Sequence, residues 1–255
     1  DGTWPWMQEI SKQDPNTICI KNNSKERVGH TISYDLMVDM LRGIDIKYIC
    51  IFHSDMVASP GFDEYMFKNI SGELDIVSAT RIEPPLHQPG PEKIHADFGM
   101  VPEIFEPKTF DAYSKILLRN IQKTDKRSTR GFFAPWLAHI SMFDKVNGHD
   151  SLYRPQSRED SDIGNRFVLA GANLIQTWEA FVYHFTCRGS RFQKDGKLLL
   201  GNNSEEWQFT NHKGERNFVR KWGNFVEHDP FMLPIIKPKY DLDLNVEISD
   251  IFDPI

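Results

Sequence analysis

Apolar positions along the chain follow two rhythms. Near the start, Trp4, Met7 and Ile10 recur at helical spacing and predict a helix over 4–14, with Pro5 tolerated in its first turn. Asp14-Pro15-Asn16 is a turn, Thr17-Ile18-Cys19-Ile20 reads as a short buried strand, and 21–29 is a polar loop. Ile32, Leu36, Val38, Met40 and Leu41 form the apolar set of a helix over 31–41, with Gly43 as its stop. The run 48–52 is then apolar at every position, the pattern of a strand covered on both faces as in a parallel sheet, and it ends in His53-Ser54-Asp55. A Pro60-Gly61 turn, a helix over 62–70 and a buried strand over 75–80 follow. Helix and strand alternate, which is the mark of an α/β sheet.

The rhythm breaks over 81–109. Pro84, Pro85, Pro89, Pro91, Pro102 and Pro107 interrupt regular structure and predict a long excursion from the core. Beyond it the pattern predicts a helix over 110–124, a hydrophilic loop over 123–130, a strand or tight apolar turn over 132–137, and short helices over 138–146 and 158–169. Strands over 174–178 and 180–185 and a helix within 205–226 complete a domain of residues 1–228. Prolines 230, 234, 238 and 254 make 229–255 an extended arm.

Composition narrows the function classes. The 255 residues carry 30 Lys+Arg against 36 Asp+Glu, a formal net charge of −6. That balance excludes a nucleic-acid-coating role, which needs a basic surface. The three cysteines, Cys19, Cys50 and Cys187, are widely spaced and form no CxxC, so neither a disulfide framework nor a cysteine zinc knuckle is expected. Together with the lack of a basic-then-apolar leader at Asp1, this predicts a cytoplasmic protein, with the cytoplasmic membrane face as an alternative station. The longest apolar stretch is too short to span a bilayer. Asn22, Asn69 and Asn202 open N-x-S matches of a kind that chance supplies.

Chemistry-bearing residues gather in three places. His53 and Asp55 stand at the end of a strand, where open α/β sheets bind ligands and where an acid and an imidazole can hold a metal; Asp55 could equally cap the next helix. In Arg158-Glu159-Asp160-Ser161-Asp162 the acids suit a helix dipole, yet one of them could serve as general base. His184 is either a satisfied half-buried histidine or, should the fold bring it to Asp55, a ligand. Asp97-Phe98-Gly99 matches a kinase tripeptide but lacks the companion motifs.

In order and spacing these segments resemble the GT-A glycosyltransferases, closest to the large inverting family 2. Asp1-Gly2-Thr3 is similar to the end of that family's "D-G-S-x-D-G-T" turn. Phe52-His53-Ser54-Asp55 with the downstream Pro60-Gly61 resembles the "F-L-D-S-D" strand. The stretch 143–150 resembles "F-x-x-V-G-G-F-D-E", and 159–166 resembles "E-D-x-D-L-x-x-R".

The resemblance implies an α/β GT-A, Rossmann-like domain with a mixed, mostly parallel sheet flanked by helices. It implies transfer of a sugar from a nucleotide-diphospho-sugar donor to a hydroxyl of a glycan, lipid-linked or protein acceptor. Asp55 takes the place of the second acid of a DxD motif and His184 that of a late metal ligand, so the two would hold Mn²⁺ or Mg²⁺. His53 replaces the first acid, where an imidazole can bind metal or hydrogen-bond a ribose, and with Asp55 it would contact the donor. Tyr34 and Asp35 stand where many members have Arg and Asn. Asp160 would be the catalytic base, with Glu159 and Asp150 orienting the acceptor. Trp136 is either a platform for a sugar face or plain core. The family's opening strand–helix–strand unit is not found ahead of this region. Either the frame is incomplete or another chain supplies that edge, which invites pairing with a second copy. The rival reading is a non-catalytic GT-A-like binding or assembly module.

Overall fold

The computed structural model describes residues 2–23, 28–185 and 204–237. Two helices, α1 (Thr3–Gln13) and α2 (Gly29–Leu41), precede the first strand, β1 (Tyr48–Ile51). There follow β2 (Met56–Ala58), α3 (Phe62–Phe67), β3 (Asp75–Glu83), β4 (Lys93–His95) and α4 (Pro107–Ile121). The rest is β5 (Ser128–Arg130), β6 (Trp136–His139), α5 (Ile140–Lys145), α6 (Glu159–Leu169), β7 (Asn173–His184) and α7 (Glu205–Trp222).

The strands form one mixed sheet in the order β1-β6-β3-β7-β2, with β4 added to β3 and β5 to β7. β3 is parallel to β7 and β4, while β6 lies antiparallel between β1 and β3. β1, β3, β4 and β7 therefore run one way and β2, β5 and β6 the other. The sheet is more mixed than "mostly parallel" suggests, because β6 pairs antiparallel with β1 and β3, and β2 and β5 pair antiparallel with β7.

Side chains alternate along β3, so its two faces build separate cores. Ile76 joins Tyr34 and Val38 of α2, Met142 and Phe143 of α5, and Ile163 and Phe167 of α6. Val77 and Ala79 face the other way, onto Met66 of α3. A third cluster packs Phe110 of α4 against Phe181 and Tyr183 of β7.

Several expectations are corrected. β1 is an edge strand: Ile49 and Ile51 are buried and Tyr48 packs on Phe67 from the other face, but Cys50 on that second face is exposed. Residues 17–20 form no strand; Ile18 and Ile20 lie beside Met37, Met40 and Leu41 at the end of α2. The two strands expected over 174–185 are one, because a register shift opposite Ala79/Thr80 absorbs residues 178–180 without ending the pairing. The excursion 81–109 is anchored rather than free. β4 pairs with β3, and the Tyr183 hydroxyl accepts from Phe98 N–H and donates to the Gly99 carbonyl at 2.9 Å. The start of the expected arm turns back: His228 bridges Pro234, and Leu233 is buried in the α6 cluster. Cys187, the segment 188–190, Asn202 and residues 238–255 lie outside the described residues. Among those described, no helix is long and apolar enough to cross a membrane.

Candidate metal centre and acceptor face

Strand register builds the centre. β1, β3 and β7 run in the same direction, and His53, Glu83 and His184 stand at their carboxyl ends. Antiparallel pairing places Met56 of β2 opposite His184, so Asp55 falls beside that imidazole; its carbonyl also accepts the Phe185 N–H at 3.0 Å. On the other flank β3 pairs Ile82 with Tyr183, which carries Glu83 alongside His184. His184 Nε2 lies 3.4 Å from Asp55 Oδ2, and its Nδ1 lies 2.7 Å from Glu83 Oε1. One ligand atom each from His53, Asp55 and His184 falls within 4.8 Å of the others.

The electrostatics keep both carboxylates ionised and His53 neutral, and they raise His184, so an ion would displace a proton there. Burial, with the charge of Arg81, brings the His53 imidazole down to about 4 against the pull of Asp160 and Asp55, so its ring is neutral near neutrality. Burial acts to raise the Asp55 carboxyl, but the His184 hydrogen bond and both nearby imidazoles outweigh it and hold it below the usual range. Burial likewise opposes ionisation of Glu83, yet His184, Arg81 and Lys93 bring it down to about 2. For His184, burial favours the neutral ring, and the hydrogen bonds to Asp55 and Glu83 raise it overall. A carboxylate with two imidazoles can hold a first-row divalent ion, the imidazoles favouring transition metals over Mg²⁺, and a second carboxylate behind one imidazole is the usual outer support.

The start of α6 faces this centre. Gly29 (φ +83°) lets α2 press against the turn before α6; a Cβ there would lie 2.0 Å from the Pro155 carbonyl oxygen. That approach stacks Tyr34 over His53, with ring centres 6.2 Å apart. Ser157 and Arg158 adopt left-handed φ of 85° and 73° just before the acids. Such strain costs of order 1–3 kcal/mol per residue and gathers at functional sites. Here Ser157 Oγ donates to Asn211 at 2.8 Å and Arg158 pairs with Glu215, both on α7. Glu159 is buried, with Oε1 3.6 Å from His30 Nδ1 and Oε2 without a hydrogen-bond partner. Asp160 is exposed, yet near enough that its charge acts on the His53 ring and raises the Tyr34 hydroxyl, which burial raises further still.

Two expected residues are placed elsewhere. Trp136 is 1 % exposed, packed between Phe132 and Phe167, so its ring has no face left for a sugar. Asp150 caps a short helical turn by accepting Leu152 N–H and is paired at 2.6 Å with Lys221, which also binds Asp162 at 2.7 Å. Its oxygens are committed to structure. Conversely, Glu83 and Arg81 join the site without having been singled out, and Tyr34, noted in the resemblance, joins it by stacking on His53. A Glu ending an otherwise buried strand was the available signal for Glu83.

No protein-family model and no curated protein matches the chain. A solved structure does: a crystal structure of GalNAc-T7 with UDP, GalNAc and Mn²⁺ is similar over 88 % of this chain, with a TM-score of 0.55 and 11 % identity. The chain has a GT-A-like fold. It spans 40 % of the length of that GalNAc-T7 chain.

Proposed function

We propose that this chain is a divalent-metal-dependent glycosyltransferase, resembling family 2, which moves a sugar from a nucleotide-diphospho-sugar to a hydroxyl with inversion. One observation carries the reading: His53, Asp55 and His184 converge where β1 and β7 end, the position at which open α/β sheets bind ligands. Asp55 and His184, with His53, would hold Mn²⁺ or Mg²⁺. When bound, the ion offsets the charge that grows on the departing diphosphate. GalNAc-T7 holding UDP and Mn²⁺ together supports the same pairing here.

The protein's part of the reaction falls to α6. Asp160 takes the proton of the acceptor hydroxyl as that oxygen bonds to the anomeric carbon. The bond from the anomeric carbon to the diphosphate oxygen breaks, and its electron pair leaves with the nucleoside diphosphate. Glu159, next to Asp160 on the first turn of α6 and beside His30, would orient the acceptor. Asp150 and Trp136 take no part. The acceptor itself is a glycan, a lipid-linked sugar or a protein hydroxyl.

Calorimetry with UDP and GDP, with and without Mn²⁺, tests the donor site. Metal-dependent heat with one nucleotide is expected, and proton NMR of the transfer product gives the anomeric outcome. Absence of heat with every nucleotide would favour the non-catalytic module.

A further inference from the structure

Glu83 is a buried carboxylate with more partners than neutralisation requires. Its side chain is 2 % exposed. Oε1 accepts from His184 Nδ1, Oε2 lies 3.1 Å from Lys93 Nζ, and the Arg81 guanidinium approaches to 3.9 Å. Lys93 already has Glu92 at 3.1 Å, so its charge is matched without Glu83. Burying an ionised carboxylate is costly, and replacing a buried ion pair by apolar groups is often neutral or stabilising. A purely structural account of Glu83 is therefore weak.

Its geometry suits another task. An imidazole has two nitrogens, and the one left free for a metal is decided by what the other donates to. With Nδ1–H donated to Glu83, Nε2 is the nitrogen turned toward Asp55, and its lone pair becomes available to a metal once the ion displaces the proton that Nε2 shares with that carboxylate. Glu83 is in turn held from the excursion, because β4 pairs with β3 in the register Arg81↔Lys93 and Glu83↔His95. We propose that Glu83 is a positioning residue that fixes His184 for metal binding, and that Lys93 makes the proline-rich excursion part of this support. The inference rests on the metal-site reading above.

Mn²⁺ titration followed by electron paramagnetic resonance tests it, using the whole chain and three variants. Glu83→Gln keeps the shape and removes the charge; its Mn²⁺ affinity is expected to fall roughly 10- to 100-fold. Lys93→Gln is expected to lose less, and it serves if Glu83→Gln does not fold. In the Mg²⁺-loaded chain, ¹⁵N NMR of the His184 ring is expected to show Nδ1 protonated, and Glu83→Gln to give a mixture of forms. A merely structural residue would leave that ring spectrum unchanged. Asp55→Asn is the reference. If it binds Mn²⁺ like the parent, the metal reading itself fails. If it loses Mn²⁺ while Glu83→Gln and Lys93→Gln keep parental affinity and ring spectrum, the positioning role is overturned.

Discussion

Met56 stands directly opposite His184 across the antiparallel pairing of β2 with β7. That register seats the turn carrying His53 and Asp55 against the end of β7. Asp55 leads into β2 at the point where β7 ends, so a bound ion would tie two strands together. The fold should then be more stable with metal. At an Mn²⁺ concentration a hundred times its dissociation constant the gain is about 2.7 kcal/mol. Thermal melting with Mn²⁺ and with a chelator measures it. His184→Ala is expected to abolish the difference; an undiminished shift would place the ion elsewhere.

Asp160→Asn separates proton transfer from binding. Asp160 is exposed on the first turn of α6 and Asn suits the same turn, so folding should be little changed. Loss of a general base lowers turnover by roughly 10²- to 10⁴-fold. Nucleotide and Mn²⁺ affinities should stay within about threefold of the parent, since the predicted loss lies in chemistry alone. Steady-state rates beside calorimetry give both quantities, and full turnover would remove Asp160 from its role.

Trp136 distinguishes core from carbohydrate platform. Trp136→Ala empties a fully packed position and should cost about 3–5 kcal/mol in denaturant unfolding. Trp136→Phe keeps most of the packing, so the acceptor KM should not move. A large rise in KM with parental stability would restore the platform reading.

How far these roles could be read from sequence depended on the range of the signal. His53-Ser54-Asp55 and Glu159-Asp160 are local patterns at strand and helix ends, and the structure brings both to one place. Glu83 is a long-range case. Its partner His184 lies 101 residues away, and only the β3–β7 register joins them. Trp136, read as either platform or core, and Asp150 are taken up by the fold for another reason. Aromatic and acidic residues serve cores and caps as readily as ligands, and what decided was packing by Phe132 and Phe167 in one case and Lys221 of α7 in the other. The run 17–20 has strand chemistry, but Ile18 and Ile20 lie beside α2 rather than beside a strand.

Lys221 binds Asp150 and Asp162 together and sets a pH dependence of stability. Burial works to raise the Asp150 carboxyl, but the Lys221 hydrogen bond, the Leu152 N–H and the charges of Lys221 and Arg166 outweigh it and hold it below its ordinary 3.8. A carboxyl depressed in the folded state binds protons more readily when unfolded. Its contribution is therefore complete above the ordinary value and is lost as pH falls through the folded one. Asp150→Asn removes that contribution at every pH. The urea-unfolding gap between parent and Asp150→Asn should be widest at about pH 6 and shrink toward about pH 3. Lys221→Met should be more damaging, because it strips Asp162, which has no exposed surface, of one of its two cations, leaving only Arg166 at 2.7 Å. Breaking a buried pair from one side costs about 3–5 kcal/mol, and a gap that stayed constant with pH would show that Asp150 is held by something other than its ionised form.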